Sequence, residues 1–177
     1  MKQSSKCAIG GIVSALALVL MISVAVIPFL TYALPAVAGV LTVFMVIETD
    51  KKWALGVYCT VAILAMILVP DKEVAVMYLA FFGYYPILKA VIESGLPTVL
   101  GWVVKVASFV ATMVAAYLLL INVMGGTVDE IEEYGMIAVP LLLGIGAVAF
   151  VMYDITLTRL IILYTVKFRK LFRRYFK

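Results

Sequence analysis

An all-α integral membrane bundle of six transmembrane helices is the fold this sequence predicts, and three observations carry it. Of the 177 residues, 66% are hydrophobic and only 14% charged, with a mean hydropathy of +1.20. A soluble domain carries about a quarter of its residues as charges, so this chain cannot cover a water-facing surface. Next, its apolar runs approach the ~20 residues that cross a bilayer core of about 30 Å as helix. Finally, the runs lack period-two alternation, and lipid admits only helices or closed barrels.

The expected spans follow in order. The first covers about residues 8–27 and stops at Pro28; the second, about 29–47, carries Pro35 in its first turn and ends at the polar run Glu48-Thr49-Asp50-Lys51-Lys52. The third, about 53–69, is closed by Pro70-Asp71-Lys72-Glu73, and the fourth covers about 74–92. The fifth takes about 98–121 and the sixth begins near Met136. Pro86 removes a backbone donor inside the fourth helix and predicts a kink there. Residues 1–6 before an apolar run resemble a signal peptide, but the run continues into further spans and reads as an uncleaved first helix.

Basic residues set the orientation. Lys2, Lys6, Lys51, Lys52, Lys89 and the C-terminal Lys167, Arg169, Lys170, Arg173, Arg174 and Lys177 fall on one side, against Lys72 alone on the other. The positive-inside rule then puts both termini in the cytoplasm of a multi-pass cell-membrane protein. Two units result: a six-helix domain over residues 1–166 and a basic tail over 167–177. In the tail Phe168, Leu171, Phe172, Tyr175 and Phe176 share one helical face. That pattern predicts an amphipathic helix on the anionic inner leaflet, and a continuation of the sixth helix or a docking surface for a partner fits it too.

Several function classes drop out. With no histidine, His-based acid–base pairs and the commonest zinc and haem ligands are missing. No residue set supplies a nucleophile with its base, so an enzyme is not expected, nor a cofactor or a metal. Cys7 and Cys59 show no CxxC spacing and read as small apolar packing residues. No GxxxxGK[ST] run occurs for ATP. The net charge of +4 is explained by topology, and nucleic acid is not an expected partner.

The chemistry that remains lies inside the spans. Lys89, Glu93, Lys105, Asp154 and Arg159 sit within or at the edge of apolar runs, where each charge costs about 2.5–3.5 kcal/mol and needs a partner or water. Lys89 and Glu93 are i, i+4 and can pair, and Asp154 is expected to meet Lys105 across the bundle. Asp154 and Arg159 face different neighbours. A structural ion-pair girdle, a contact surface for a membrane partner and an ion-coupled carrier all stay open, although a relay would need charges through the midplane.

The outer half offers few polar side chains. A ligand pocket there would be built from Tyr78, Tyr84, Tyr85, Tyr117 and Asn122, beside Phe81, Phe82 and Pro86; plain aromatic packing is the other explanation. Thr127 and Glu130 have capping-box spacing, which predicts a short surface helix in the acidic last loop.

The run Ile9-Gly-Gly-Ile-Val-Ser-Ala-Leu-Ala-Leu resembles the first helix of the substrate-binding S components of energy-coupling-factor transporters. Gly11 and Ala15 match the small-xxx-small face that packs there on a transmembrane scaffold subunit. The segment Tyr78-Leu-Ala-Phe-Phe-Gly-Tyr-Tyr-Pro-Ile-Leu-Lys is similar to S-component-like proteins of Gram-positive bacteria. The resemblance implies a membrane subunit that captures a vitamin or metal at its outer side and works with a scaffold subunit and two cytoplasmic ATPases. The chain departs from the pattern in its sparse outer polar set and its lack of the N-terminal histidines of nickel or cobalt versions. A non-transporting membrane scaffold or assembly factor of the cell envelope is the alternative.

Overall fold

The computed structural model describes residues 3–124 and 138–168, with side chains over 3–116, 118 and 144–167. Among the described residues the chain is almost entirely helical and has no strand: α1 Gln3–Ile22, α2 Ala33–Glu48, α3 Lys51–Leu68, α4 Lys72–Met77, α5 Tyr85–Gly95, α6 Thr98–Met124 and α7 Ala138–Leu163. A π-helical turn over Tyr78–Phe82 joins α4 to α5, and another, Tyr164–Phe168, extends α7. The acidic last loop and the tail beyond residue 168 lie outside the described residues.

Among the described residues, five segments are long and apolar enough to cross a membrane: Gln3–Ala25, Lys51–Leu68, Lys72–Gly95, Thr98–Ala116 and Gly144–Lys167. They are compatible with a multi-pass membrane protein. The second expected span is shorter than its apolar run. Pro28 disfavours helical backbone at the residue before it, and Ile27 accordingly sits at φ −127°, ψ 74°. A 3-10 turn, Pro28–Leu30, follows, so the α-helix starts only at Ala33. Its 16 residues rise about 24 Å, less than a ~30 Å core.

Helix α2 nevertheless holds the centre, touching α1, α3, α5, α7 and the π turn. On one side Ile9, Val13, Ala17 and Met21 form a four-residue-spaced stripe on α1 that packs with Ala38 and Met45 of α2 and Ala54, Val61 and Ala65 of α3. On the other side Val43 meets an aromatic cluster of Phe81, Tyr85, Phe109 and Phe150. Cys7 and Cys59 are free and exposed, so neither packs in the core as their apolar setting suggested.

The expected kink at Pro86 is a π turn with a short break after it. Gly83 donates its N–H to the Tyr78 carbonyl, five residues back, at 2.8 Å. Leu79, four residues back, loses that donor, and its carbonyl instead accepts the Tyr58 hydroxyl at 2.7 Å. Pro86 has no N–H to give the Phe82 carbonyl, and that oxygen faces Gly39 on α2. A Cβ at Gly39 would overlap it and come within 2.6 Å of the Tyr153 hydroxyl. Glycine here is a requirement of close approach.

Polar links tie the helix ends. At one end Lys6 pairs with Asp50, and Lys51 donates to Ser94 at 2.9 Å; with Lys52 this is the basic end of the bundle. The Lys6 ammonium holds the Asp50 carboxyl below its usual range. At the opposite end Lys72 donates to the Met66 and Val69 carbonyls at 2.9 and 3.0 Å, capping α3. Tyr32 donates to Glu73 at 2.7 Å.

Two predictions follow from this packing. Gly39→Ala should cost about 1–3 kcal/mol by overpacking, whereas Gly11→Ala, with nothing within 4 Å of an added Cβ, should stabilise by up to about 1 kcal/mol through helix propensity; equal unfolding midpoints in detergent would contradict the α2–π-turn contact. The hydrogen bond to Glu73, with partial burial, pushes the Tyr32 phenol up to about 12. Its neutral form is the one the fold favours, so this tether is intact below about pH 10, the ordinary phenol value, and lost as pH rises through 12. An ultraviolet titration of the wild type minus Tyr32→Phe should show that phenolate emerging near pH 12, not near 10.

A buried ion-pair network beside a polar cavity

On α5, Tyr85, Lys89 and Glu93 recur every four residues and so lie along one face. That face meets Lys105, two turns into α6, and Asp154 of α7. Lys89 Nζ lies 2.6 Å from Asp154 Oδ1 and 2.7 Å from Glu93 Oε1. Lys105 Nζ lies 2.6 Å from the same Glu93 oxygen and 3.2 Å from the Asp154 carboxylate. The Tyr85 hydroxyl donates to Asp154 Oδ1 at 2.6 Å. Lys89, Lys105 and Asp154 are only 1%, 5% and 3% exposed, while the Glu93 side chain is 44% exposed.

Burial of charge is tolerated here because signs alternate. Each lysine touches both carboxylates and each carboxylate touches both lysines, so the formal charges cancel. Taking one ion out of water costs several kcal/mol, offset only by close partners and further hydrogen bonds. Asp154 has three such donors. The Lys89-to-Glu93 order along α5 is the less favourable one for an isolated helix; Asp154 supplies what the local pair lacks.

An aromatic layer closes one side of the network. Phe109 and Phe150 stack with centroids 4.8 Å apart, and Tyr85 meets Phe81 and Phe150 at 5.0 and 5.3 Å. On the other side, toward the α5–α6 turn, lies a cavity of about 310 Å³ lined by Glu93, Lys105 and Asp154 together with Ile92, Leu96 and Trp102. The Lys105 ammonium sits 5.2 Å from the centroid of the Trp102 ring, within cation–π range. Thr158 also lines this space and donates to the Asp154 carbonyl at 2.9 Å.

The structure thus brings Lys89, Glu93, Lys105 and Asp154 into one network, where the sequence suggested two separate pairs. Arg159 is exposed and stands apart. Tyr85 was expected among ligand-binding tyrosines at the outer side, but the structure gives its hydroxyl to Asp154. Its spacing, four residues before Lys89, was the signal available. Trp102, three residues before Lys105, carried a similar one.

Of the remaining ligand candidates, Tyr78 and Tyr84 pack among other aromatic rings rather than around an open space. Tyr78 is fully buried, with its hydroxyl 3.4 Å from that of Thr42. Tyr58 lies 6.2 Å from Tyr78 and 6.4 Å from Tyr84, ring to ring. A Cβ on Gly83 would come within 2.7 Å of ring carbons of both Tyr58 and Tyr78, so packing here leaves no room for a methyl group. Tyr117 and Asn122 lie on α6, and their side chains fall outside the described residues. Gly11 and Ala15 are exposed on α1; Gly10 faces inward, where a Cβ would meet Val57 at 3.1 Å.

Among the described residues no group of three or more Cys, Asp or Glu side chains is placed to hold a metal ion. No protein-family model, curated protein or solved structure matches the chain. The functional reading therefore rests on geometry.

Truncating one partner should expose the coupling. Lys89→Met and Asp154→Asn should each cost about 3–5 kcal/mol, because each removes a partner of a buried charge and leaves the network out of balance by one. The double variant leaves Lys105 paired with Glu93 and should cost at least about 1 kcal/mol less than the sum. Additive losses in reversible unfolding would contradict the network.

Proposed function

We propose that this chain is a membrane-embedded substrate-binding subunit of an uptake transporter of the energy-coupling-factor type, working through partner proteins and carrying neither an ATPase nor catalytic chemistry of its own. One observation carries the reading: an ion network buried among apolar helices opens onto a cavity. Ionisable groups inside spans are expensive and, when they face a cavity within the bundle, mark sites of ligand passage. In this reading the six apolar helices all cross the cell membrane, both termini are cytoplasmic, and the basic end with its cavity faces the cytoplasm. The ligand then lies at this cavity, at the cytoplasmic end rather than at the outer side that the resemblance implies, and Tyr78, Tyr84 and Tyr85 leave the ligand set because none of them lines it.

The α1 surface supports the partner half of the proposal. Gly11 and Ala15 are exposed one helical turn apart, and small residues let a second helix backbone approach closely. The six basic residues of the tail suit the anionic inner leaflet. A second reading, a non-transporting assembly factor of the cell envelope, is favoured by the closure of the network: Asp154 has its donors without any ligand.

Purification of tagged wild type and Gly11→Leu from native membranes in mild detergent tests the proposal. A second membrane subunit and ATPases should accompany the wild type, and Gly11→Leu should lose them while keeping its own unfolding midpoint. A wild type that brings down envelope-assembly proteins and no ATPase would overturn the transporter reading in favour of the second.

A further inference from the structure

We propose that the cavity between α5, α6 and α7 binds a small zwitterion of amino-acid size, its ammonium on Glu93 and its carboxylate on Lys105. This rests on the reading that the chain binds a small molecule, and it names the chemical class.

Charge balance is the first ground. Two lysines and two carboxylates already cancel at this site, so a ligand with net charge would leave one charge unmatched where surrounding helices hold the dielectric low. A zwitterion adds one charge of each sign and keeps the balance. A wholly apolar ligand would strip water from Glu93 and Lys105 without replacing its hydrogen bonds.

The second ground is the set of groups left over on the cavity wall. Asp154 takes donors from Tyr85, Lys89 and Lys105, and Lys89 is sealed behind it at 1% exposed. Glu93 receives both lysines on Oε1, which leaves Oε2 as an acceptor on a side chain that is 44% exposed. Lys105 has three N–H donors; Glu93 and Asp154 account for two, and the residue lines the cavity wall. The wall thus offers one anionic acceptor and one cationic donor, held close together because Lys105 and Glu93 are themselves bonded at 2.6 Å. An α-amino acid carries its two charges at comparable separation.

Size and surroundings agree. The volume of about 310 Å³ is at the small end of the ~300–1,000 Å³ range of ligand clefts. Ile92, Leu96 and Trp102 supply an apolar wall for a side chain. Gly101, also on the wall, keeps α5 and α6 close: a Cβ there would already meet Ile92 at 3.3 Å.

Calorimetric titration of the full chain in nanodiscs tests this. The probes are alanine, leucine and phenylalanine, each beside the amine that lacks its carboxylate and the acid that lacks its ammonium. At least one zwitterion should bind about tenfold or more tighter than both of its single-charge analogues, the scale of one charge-assisted hydrogen bond. Glu93→Gln should weaken that zwitterion at least about tenfold. Thr156→Val, which removes only an exposed hydroxyl bonded to the Met152 carbonyl on the same helix and outside the cavity wall, should keep it and serves as the folded control. An amine or an acid that binds as tightly as its parent overturns the charge-balance argument. No binding by any of the three zwitterions overturns the proposed class. If ATPases still co-purify in that case, the transporter reading survives; if they do not, both fall together.

Discussion

Two lysines and one carboxylate buried among apolar helices, with the half-exposed Glu93 beside them, impose the constraint on which the rest of the structure depends. None of the three buried charges can be left alone in that environment, so α5, α6 and α7 must bring them to one point. Outside the network α6 and α7 present apolar side chains outward, with Val99, Val103, Val110 and Val114 exposed along one and Ile145, Val148, Met152 and Ile155 along the other. Such faces suit lipid and specify no particular neighbour. Lipid tails are as apolar as those side chains, so hydrophobic burial gives little preference for one helix arrangement over another. The ion network is what fixes position and register at the basic end.

The π turn makes that meeting possible. An α-helix advances about 100° per residue, and one extra residue in a π turn rotates everything after it by about that amount relative to what came before. The turn over Tyr78–Phe82 therefore sets the α5 face independently of the α4 face. Val74, Ala75 and Tyr78 pack in the cluster shared by α1, α2 and α3, whereas Tyr85 joins the cluster shared with α6 and α7. The carbonyls that the turn and Pro86 leave without helical donors find other accommodation: Leu79 accepts Tyr58, and Phe82 rests against Gly39. Helix α2, too short for a typical core but touching both clusters, joins the two halves.

Much of this was legible in the chain. Apolar runs and their polar or proline boundaries located most helices to within a few residues, although α1 begins and ends earlier than its expected span. Helix α2 departs for a physical reason: hydropathy alone ran through a proline-constrained stretch that the backbone could not follow. The charges inside spans marked the site, and the Lys89–Glu93 spacing is local and readable. The contacts of Lys89 with Asp154 and of Lys105 with Glu93 were not, since they depend on how helices are phased across the bundle. Tyr85 shows the difficulty best. It stands in the run Phe81-Phe82-Gly83-Tyr84-Tyr85-Pro86, where aromatic character dominates, yet its position past the π turn decides that its hydroxyl meets a carboxylate.

The most direct test of the central claim is the protonation state of Asp154, read by infrared difference spectroscopy between wild type and Asp154→Asn in lipid at neutral pH. A carboxylate that pairs with two lysines and a tyrosine must be ionised. The account predicts that the substitution removes an ionised-carboxylate stretch and leaves the carboxylic-acid region unchanged. Loss of a protonated carboxylic-acid carbonyl band instead would show that Asp154 is buried neutral, and the ion network would not be what holds these helices together.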